Sequence, residues 1–391
     1  MNNLPNGYSP EFSSGPTKKP PTWSVDKLNL SYLGRSHRSK KAKARINSAI
    51  EKMKHLLCLP KDYVLGIVPG SDTGAFELAL WNLLGERQVD ILVWESFGKY
   101  WYDDIIKELK ISDHRLFFAD YGELPDLSKV NSNNDIVFTY NGTTSGVRIP
   151  NTNWISSKRE GLVIADATSA CFAMKINWKK IDVATFSWQK CLGGEGGHGV
   201  IVLSPKAIKR LENFVPDRPI PKVFRISNEN NLKSSIFLGE TINTPSMLCI
   251  EDLHLALDWA ENIGGLDALI TRSEKNLQCV KDHVKNSPWL KFLSKNSENI
   301  SSTSICLNLT AKNLYHKTNE YKKVVSAEVS QLLENKKIAY DIKSYRNAPP
   351  GFRVWGGPTV NINDLRVFLP LLDQAIDEVN SKFNNIWVKR K

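Results

Sequence analysis

The sequence predicts an α/β fold: a large domain built on a mostly parallel, seven-stranded sheet covered by helices on both faces, followed by a smaller C-terminal α+β domain. Three observations carry this expectation. Short continuous apolar runs alternate with helical patterns through the first half of the chain. Polar or glycine-rich clusters stand at the ends of those runs, where parallel sheets place their functional residues. From Pro245 onward the character changes to long helices separated by short strands. The expected division is an N-terminal segment (1–20), a large domain (21–262) and a small domain (263–391).

In chain order, Ala42, Ile46, Ala49, Ile50, Met53, Leu56 and Leu57 recur at helical spacing and predict an amphipathic helix. Residues 63–68 form a first apolar strand, which runs into Pro69-Gly70-Ser71-Asp72-Thr73-Gly74 and a helix at 75–84. Further strands are expected at 91–94, 116–119, 136–140, 162–165, 183–187 and 200–203, with helices at 102–109 and after Pro205. Residues 214–244, rich in proline, asparagine and basic side chains, are long for a connection inside a compact domain, and such loops carry function or intersubunit contacts. Helices at 246–262 and 266–284 flank Gly264-Gly265. The small domain then reads as strands at 289–293, 304–309 and 338–342, a helix at 321–333 and a final helix at 363–379.

The 391 residues carry a net charge of +11, which raises the question of nucleic acid. Much of the excess falls on residues 38–54, where the basic side chains form the solvated face of the first helix. No nucleic-acid motif accompanies them, and a phosphorylated small substrate also favours a positive potential. No apolar run reaches the roughly 18–20 residues that span a bilayer, and the N-terminus lacks the apolar core of a signal peptide, so a cytoplasmic protein is expected, with neither membrane nor nucleic acid as partner. The six cysteines (Cys58, Cys171, Cys191, Cys249, Cys279 and Cys306) contain no C-x-x-C pair, which indicates neither a metal site nor a disulfide framework.

The most informative stretch is an apolar strand that runs through Thr185-Phe186-Ser187-Trp188-Gln189 into Lys190 and then into glycines at 193, 194, 196, 197 and 199. A second apolar run, 161–165, ends in Asp166. Alone, a lysine after a strand is an ordinary solvated loop residue. A strand-end lysine and a strand-end carboxylate one β-unit apart are what pyridoxal 5′-phosphate chemistry requires: the amine bonds to the cofactor aldehyde, and the carboxylate keeps the ring nitrogen protonated. The cofactor phosphate needs backbone donors at a helix N-terminus, which the turn containing Asp72 and Thr73 supplies.

These motifs occur in a shared order together with Phe12-Ser13-Ser14-Gly15-Pro16, Gly34-Arg35-Ser36-His37-Arg38, Asn141-Gly142-Thr143-Thr144-Ser145-Gly146 and Glu240-Thr241-Ile242-Asn243-Thr244-Pro245-Ser246. On them the chain resembles the phosphoserine aminotransferase family, fold-type I pyridoxal phosphate enzymes of the class V aminotransferase group. The resemblance implies Lys190 as the covalent and proton-carrying lysine, Asp166 as the ring-nitrogen partner, Trp101 as the aromatic stacked on the ring and Thr143 as the donor to its phenolic oxygen. It implies Gln189 as a further phosphate contact, and Asn243 and Thr244 as residues reaching the cofactor phosphate of a neighbouring subunit, hence a homodimer with shared active sites.

It further implies transamination between phosphoserine and 2-oxoglutarate, yielding glutamate, in serine biosynthesis, with 4-phosphohydroxythreonine of pyridoxine biosynthesis as a second possible substrate. Arg353 corresponds to the arginine that binds the substrate carboxylate, and His37 with Arg38 to the pair that reads the distal anion. The chain departs from the better-known branch just before Arg353, where Phe352 stands in place of an expected polar neighbour; either Arg346 substitutes or the distal group is read differently. Rival readings are an alanine-glyoxylate or serine-pyruvate aminotransferase, which would not need His37-Arg38, a cysteine desulfurase using Cys306, and a non-enzymatic basic binding module.

Overall fold

The computed structural model describes residues 4–228, 231–310 and 313–387. Its central sheet has seven strands, here β1 (Val64–Pro69), β2 (Val89–Val93), β3 (His114–Phe118), β4 (Asp135–Thr139), β5 (Val163–Asp166), β6 (Val183–Phe186) and β7 (His198–Leu203). Their order is β1-β7-β6-β5-β4-β2-β3. All pairs from β6 to β3 are parallel, and β7 runs antiparallel to both of its neighbours. Because β7 is antiparallel on both sides, β1 runs in the same direction as β5 and β6 and ends at the same edge. Strands β2, β4, β5, β6 and β7 are buried at every position, which is why they read as unbroken apolar runs rather than alternating ones.

Helices α1 (Lys40–Leu56), α2 (Ser71–Leu83), α3 (Ser96–Asp103) and α4 (Pro205–Asn213) accompany this sheet, and α5 (Met247–Asn262) packs on α1. A second, antiparallel sheet consists of β8 (Leu290–Phe292), β9 (Ser304–Leu309) and β10 (Gly351–Trp355), beside α6 (Gly265–Asn286), α7 (Asn319–Asn335) and α8 (Ile362–Trp387). No helix among the described residues is long and apolar enough to cross a membrane.

Three expectations are corrected. The helix expected at 102–109 starts at Ser96, because Glu95 caps it by accepting from Gly98 N at 2.7 Å, and its line continues as a π turn over Asp104–Glu108. Helix α2 begins at Ser71 rather than 75, so the turn that precedes the expected helix is its first turn. The strand expected at 338–342 is not one: Lys337 and Asp341 have φ of 54° and 58°, which breaks an extended run, and the third strand of the small sheet is β10. The 214–244 segment contains short 3₁₀ turns at Lys222–Phe224 and Ser234–Leu238; residues 229–230 lie outside the described residues.

The N-terminal segment bridges the two sheets. Trp355 N donates to Phe12 O at 3.0 Å and the Phe12 ring stacks on Phe368 at 4.7 Å, while Thr17 N donates to Gln189 O at 3.0 Å. Gly193 makes room for it, since a Cβ there would collide with the Lys18 carbonyl.

Candidate active site

The parallel strands deliver their loops to one edge. Asp166 is the last residue of β5, Lys190 follows β6, α2 follows β1, α3 follows β2 and the Asn141–Gly142 hairpin follows β4. Asp72, Thr73, Trp101, Thr143, Asp166, Gln189 and Lys190 thereby line a single cavity, together with Ser71, Phe97 and Thr168. Asp166 accepts from Trp101 Nε1 at 3.1 Å and from Thr168 N at 3.0 Å, so both carboxylate oxygens are held. Trp101 is itself fixed against Phe76, with ring centroids 4.6 Å apart. Thr143 Oγ1 donates to Ser169 Oγ at 2.8 Å, and Ser304 Oγ donates to its carbonyl at 2.6 Å. Asp72 and Thr73 lie in the first turn of α2, whose leading N–H groups have no intrahelical acceptor, and both line the cavity.

Lys190 Nζ donates to the Ser14 carbonyl and lies against Gly15, where a Cβ would approach it to 2.5 Å. Burial pushes its ammonium down to about 8; Arg353 adds to the shift and Asp166 opposes it. The free amine, the form that attacks a carbonyl, therefore reaches about half of the population near pH 8 rather than above pH 10. Labelling of Lys190 by a small aromatic aldehyde, trapped with borohydride at a series of pH values, should rise with pH around a midpoint near 8. Arg353→Ala should move that midpoint upward, since a neighbouring positive charge is removed; a midpoint near the ordinary lysine value of about 10.4 in the unmodified chain would refute the assignment.

Arg353 lies on β10 and lines a larger neighbouring cleft of about 750 Å³ with Gly15, Thr17, Lys18 and Tyr340. Its buried Nε has no hydrogen-bond partner, no carboxylate pairs with it among the described residues, and the Tyr345 ring is 5.5 Å away. Burial holds its pKa down. A half-buried guanidinium with a buried Nε and no counter-ion suits an anionic ligand. Cys306 pairs with Arg353 across β9 and β10, and burial pushes its thiol up to about 12, so it is an inert strand thiol rather than a mobile nucleophile.

Four residues named from the sequence lie elsewhere in the single chain. His37 and Arg38 line a small surface cleft with Lys43, Glu240 and Thr241, and Asn243 and Thr244 are exposed just before α5. None of the four lines the Lys190 cavity. Sequence reasoning missed Ser14 as the acceptor for Lys190 and Ser169 as the partner of Thr143. Ser14 lies within the Phe12–Pro16 motif, which was the available signal, whereas Ser169 carries no local signal because its contact joins two separate loops.

The aminotransferase class-V family model matches residues 13–339, and the chain belongs to that family of aminotransferases. It is 50% identical over 371 residues to the phosphoserine aminotransferase of Methanosarcina mazei, covering 95% of this chain and 98% of that relative. Among solved structures, a phosphoserine aminotransferase from Cytophaga hutchinsonii superposes with a TM-score of 0.78 at 23% identity, over 95% of this chain and 99% of the other. A phosphoserine aminotransferase from Trichomonas vaginalis with bound PLP gives 0.70 at 19% identity, over 94% and 99%.

Proposed function

We propose that this chain is a cytoplasmic phosphoserine aminotransferase that uses pyridoxal 5′-phosphate to exchange the amino group between O-phospho-L-serine with 2-oxoglutarate and 3-phosphohydroxypyruvate with L-glutamate, in serine biosynthesis. The observation that carries the reading is the meeting of the Lys190 amine and the Asp166 carboxylate in one cavity near Arg353, a half-buried cation with no carboxylate partner among the described residues. The cavity suits the cofactor: the unpaired N–H groups at the start of α2 suit its phosphate, Asp166 its ring nitrogen and the Trp101 indole its flat face.

When bound, pyridoxal 5′-phosphate supplies an aldehyde that bonds to amines and a ring that accepts an electron pair. Lys190 Nζ holds the cofactor and, when released, carries the proton taken from the substrate Cα. Arg353 binds the α-carboxylate common to all amino donors, and Thr143 and Gln189 hold the phenolic oxygen and the phosphate. His37, Arg38, Asn243 and Thr244 are apart from the Lys190 cavity, so they serve the site of a second copy and make the working unit a homodimer. The chain divides at Gly264, where φ reaches 111° between α5 and α6, into a large domain (21–262) and a small one (263–391), with 1–20 as the bridging segment.

Amine-donor profiling tests the substrate. Phosphoserine and glutamate should be used well and alanine poorly; alanine used as readily as phosphoserine would favour the alanine-glyoxylate or serine-pyruvate reading. Arg38→Ala should raise KM for phosphoserine by roughly one to two decades, the worth of a charge-assisted hydrogen bond, while leaving alanine little affected. Equal losses across donors would place the distal anion elsewhere. Arg346 is then the residue to test: it donates to Tyr100 OH at 3.1 Å, and the Tyr345 ring lies near both it and Arg353, at 5.6 Å and 5.5 Å.

A further inference from the structure

Asp72 stands in the turn that suits a phosphate, yet its side chain goes elsewhere. Its backbone N–H belongs to the free first turn of α2, while its carboxyl is 7% exposed and shares the cavity wall with Asp166, which is 8% exposed. Two buried carboxyls thus face one cavity in which, among the described residues, Lys190 is the one basic side chain, and that amine is directed at the Ser14 carbonyl. Two ionised carboxyls lining one buried site repel each other, which favours a shared proton.

The surrounding donors decide which member carries it. Asp166 accepts from Trp101 Nε1 and Thr168 N, one at each oxygen, so both of its oxygens already act as hydrogen-bond acceptors. Asp72 Oδ1 accepts no hydrogen bond of good geometry among the described residues; the hydroxyls of Thr168 and Thr185 stand near enough to favour its ionised form, but burial and the charge of Asp166 outweigh them. We propose that Asp72 is a neutral carboxylic acid that donates its proton to Asp166, and so acts as a positioning residue for the carboxylate facing the cofactor ring. The inference rests on the role proposed for Asp166.

The electrostatics agree in direction. Burial, and then the charge of Asp166, push the Asp72 carboxyl well up. Of the other titratable groups around it, Lys190 attracts an ionised Asp72, and the buried Cys171 thiol is held neutral. The N-terminus of α2 also favours an anion, but that effect is small beside the desolvation of a second charge next to the first. An ionised Asp72 would moreover compete with phosphate for the same helix end. A neutral one leaves its N–H groups to the ligand.

The test is the infrared difference spectrum between wild type and Asp72→Asn, both full-length, at mildly alkaline pH, recorded once with and once without pyridoxal 5′-phosphate. The expected result is a protonated-carboxyl C=O band in wild type that shifts in D₂O and is missing from Asp72→Asn. If the same bands appear in both proteins, Asp72 is ionised and the proposal fails. Carbon-13 labelling of aspartate in wild type alone answers the same question should the variant not fold: no aspartic acid band overturns the idea.

Positioning is read separately through affinity for pyridoxal 5′-phosphate. Asp72→Asn, whose amide can still donate to Asp166, should stay within about threefold of wild type, whereas Asp72→Ala should weaken binding about tenfold. Equal weakening by both would reduce Asp72 to packing. Because the infrared band is also read without cofactor, its outcome is independent of borohydride trapping at Lys190, which tests the wider reading of the site.

Discussion

Lys190→Ala is expected to abolish transamination while the chain stays folded and keeps part of its affinity for pyridoxal 5′-phosphate. Removing a positioned acid–base group alone costs roughly 10²–10⁴ in rate, and on the proposed reading this residue also provides the covalent tether. Partial affinity should persist because the other proposed contacts come from separate elements lining the same cavity: the N-terminus of α2, Asp166 at the end of β5, Trp101 on α3 and Thr143 after β4. Turnover of phosphoserine with 2-oxoglutarate and equilibrium binding of the cofactor measure the two halves of the expectation. Turnover near the wild-type rate would mean that another group carries the proton. The same variant probes the dimer. If Arg38 serves the neighbouring site, mixing Lys190→Ala with Arg38→Ala and allowing subunits to exchange should create some intact sites, and activity with phosphoserine should exceed that of either variant alone. No gain on mixing, with exchange shown to occur, would place Arg38 at its own subunit's site.

The central sheet was legible because its strands are buried on both faces. Residues such as 136–138 and 200–203 are apolar at every position, a pattern that needs no partner to be recognised. Asp166, which ends β5, and Lys190, four residues beyond the end of β6, were legible for a related reason: a charged residue at or just past the end of an apolar strand stands at the functional edge of such a sheet. The third strand of the small sheet was not legible. Ile338, Ala339 and Ile342 are all buried, so their composition suggests a strand, but the left-handed residues Lys337 and Asp341 turn the chain and leave only isolated bridges. Gly351–Trp355 takes that place because its pairing with Ser304–Leu309 is a contact far apart in sequence. The same limit hides the side-chain direction of Asp72. Helix α2 starts four residues earlier than its apolar periodicity suggests, and this rotates Asp72 from an exposed turn to the cavity wall it shares with Asp166.

Asp166→Asn carries the second large effect. The substitution preserves the shape and leaves an oxygen to accept from Thr168 N, but it removes the negative charge that the Trp101 indole N–H now helps to orient. A neutral amide would not stabilise a proton on the ring nitrogen as a carboxylate would, so on the proposed reading Lys190 Nζ would take the Cα proton more slowly. Loss of one preorganised electrostatic contact to developing charge costs roughly 10²–10³ in turnover, and because the charge is not what anchors the phosphate, the cofactor should remain bound. Single-turnover rates with phosphoserine, measured at saturating cofactor, separate this from weakened binding. A variant that has lost its cofactor would show Asp166 acting mainly as an anchor; one that keeps both cofactor and rate would remove it from the chemistry. The substitution also bears on Asp72: with the charge of Asp166 gone, one of the two main causes that raise the Asp72 carboxyl disappears, so its titration should move back toward the usual carboxylate range.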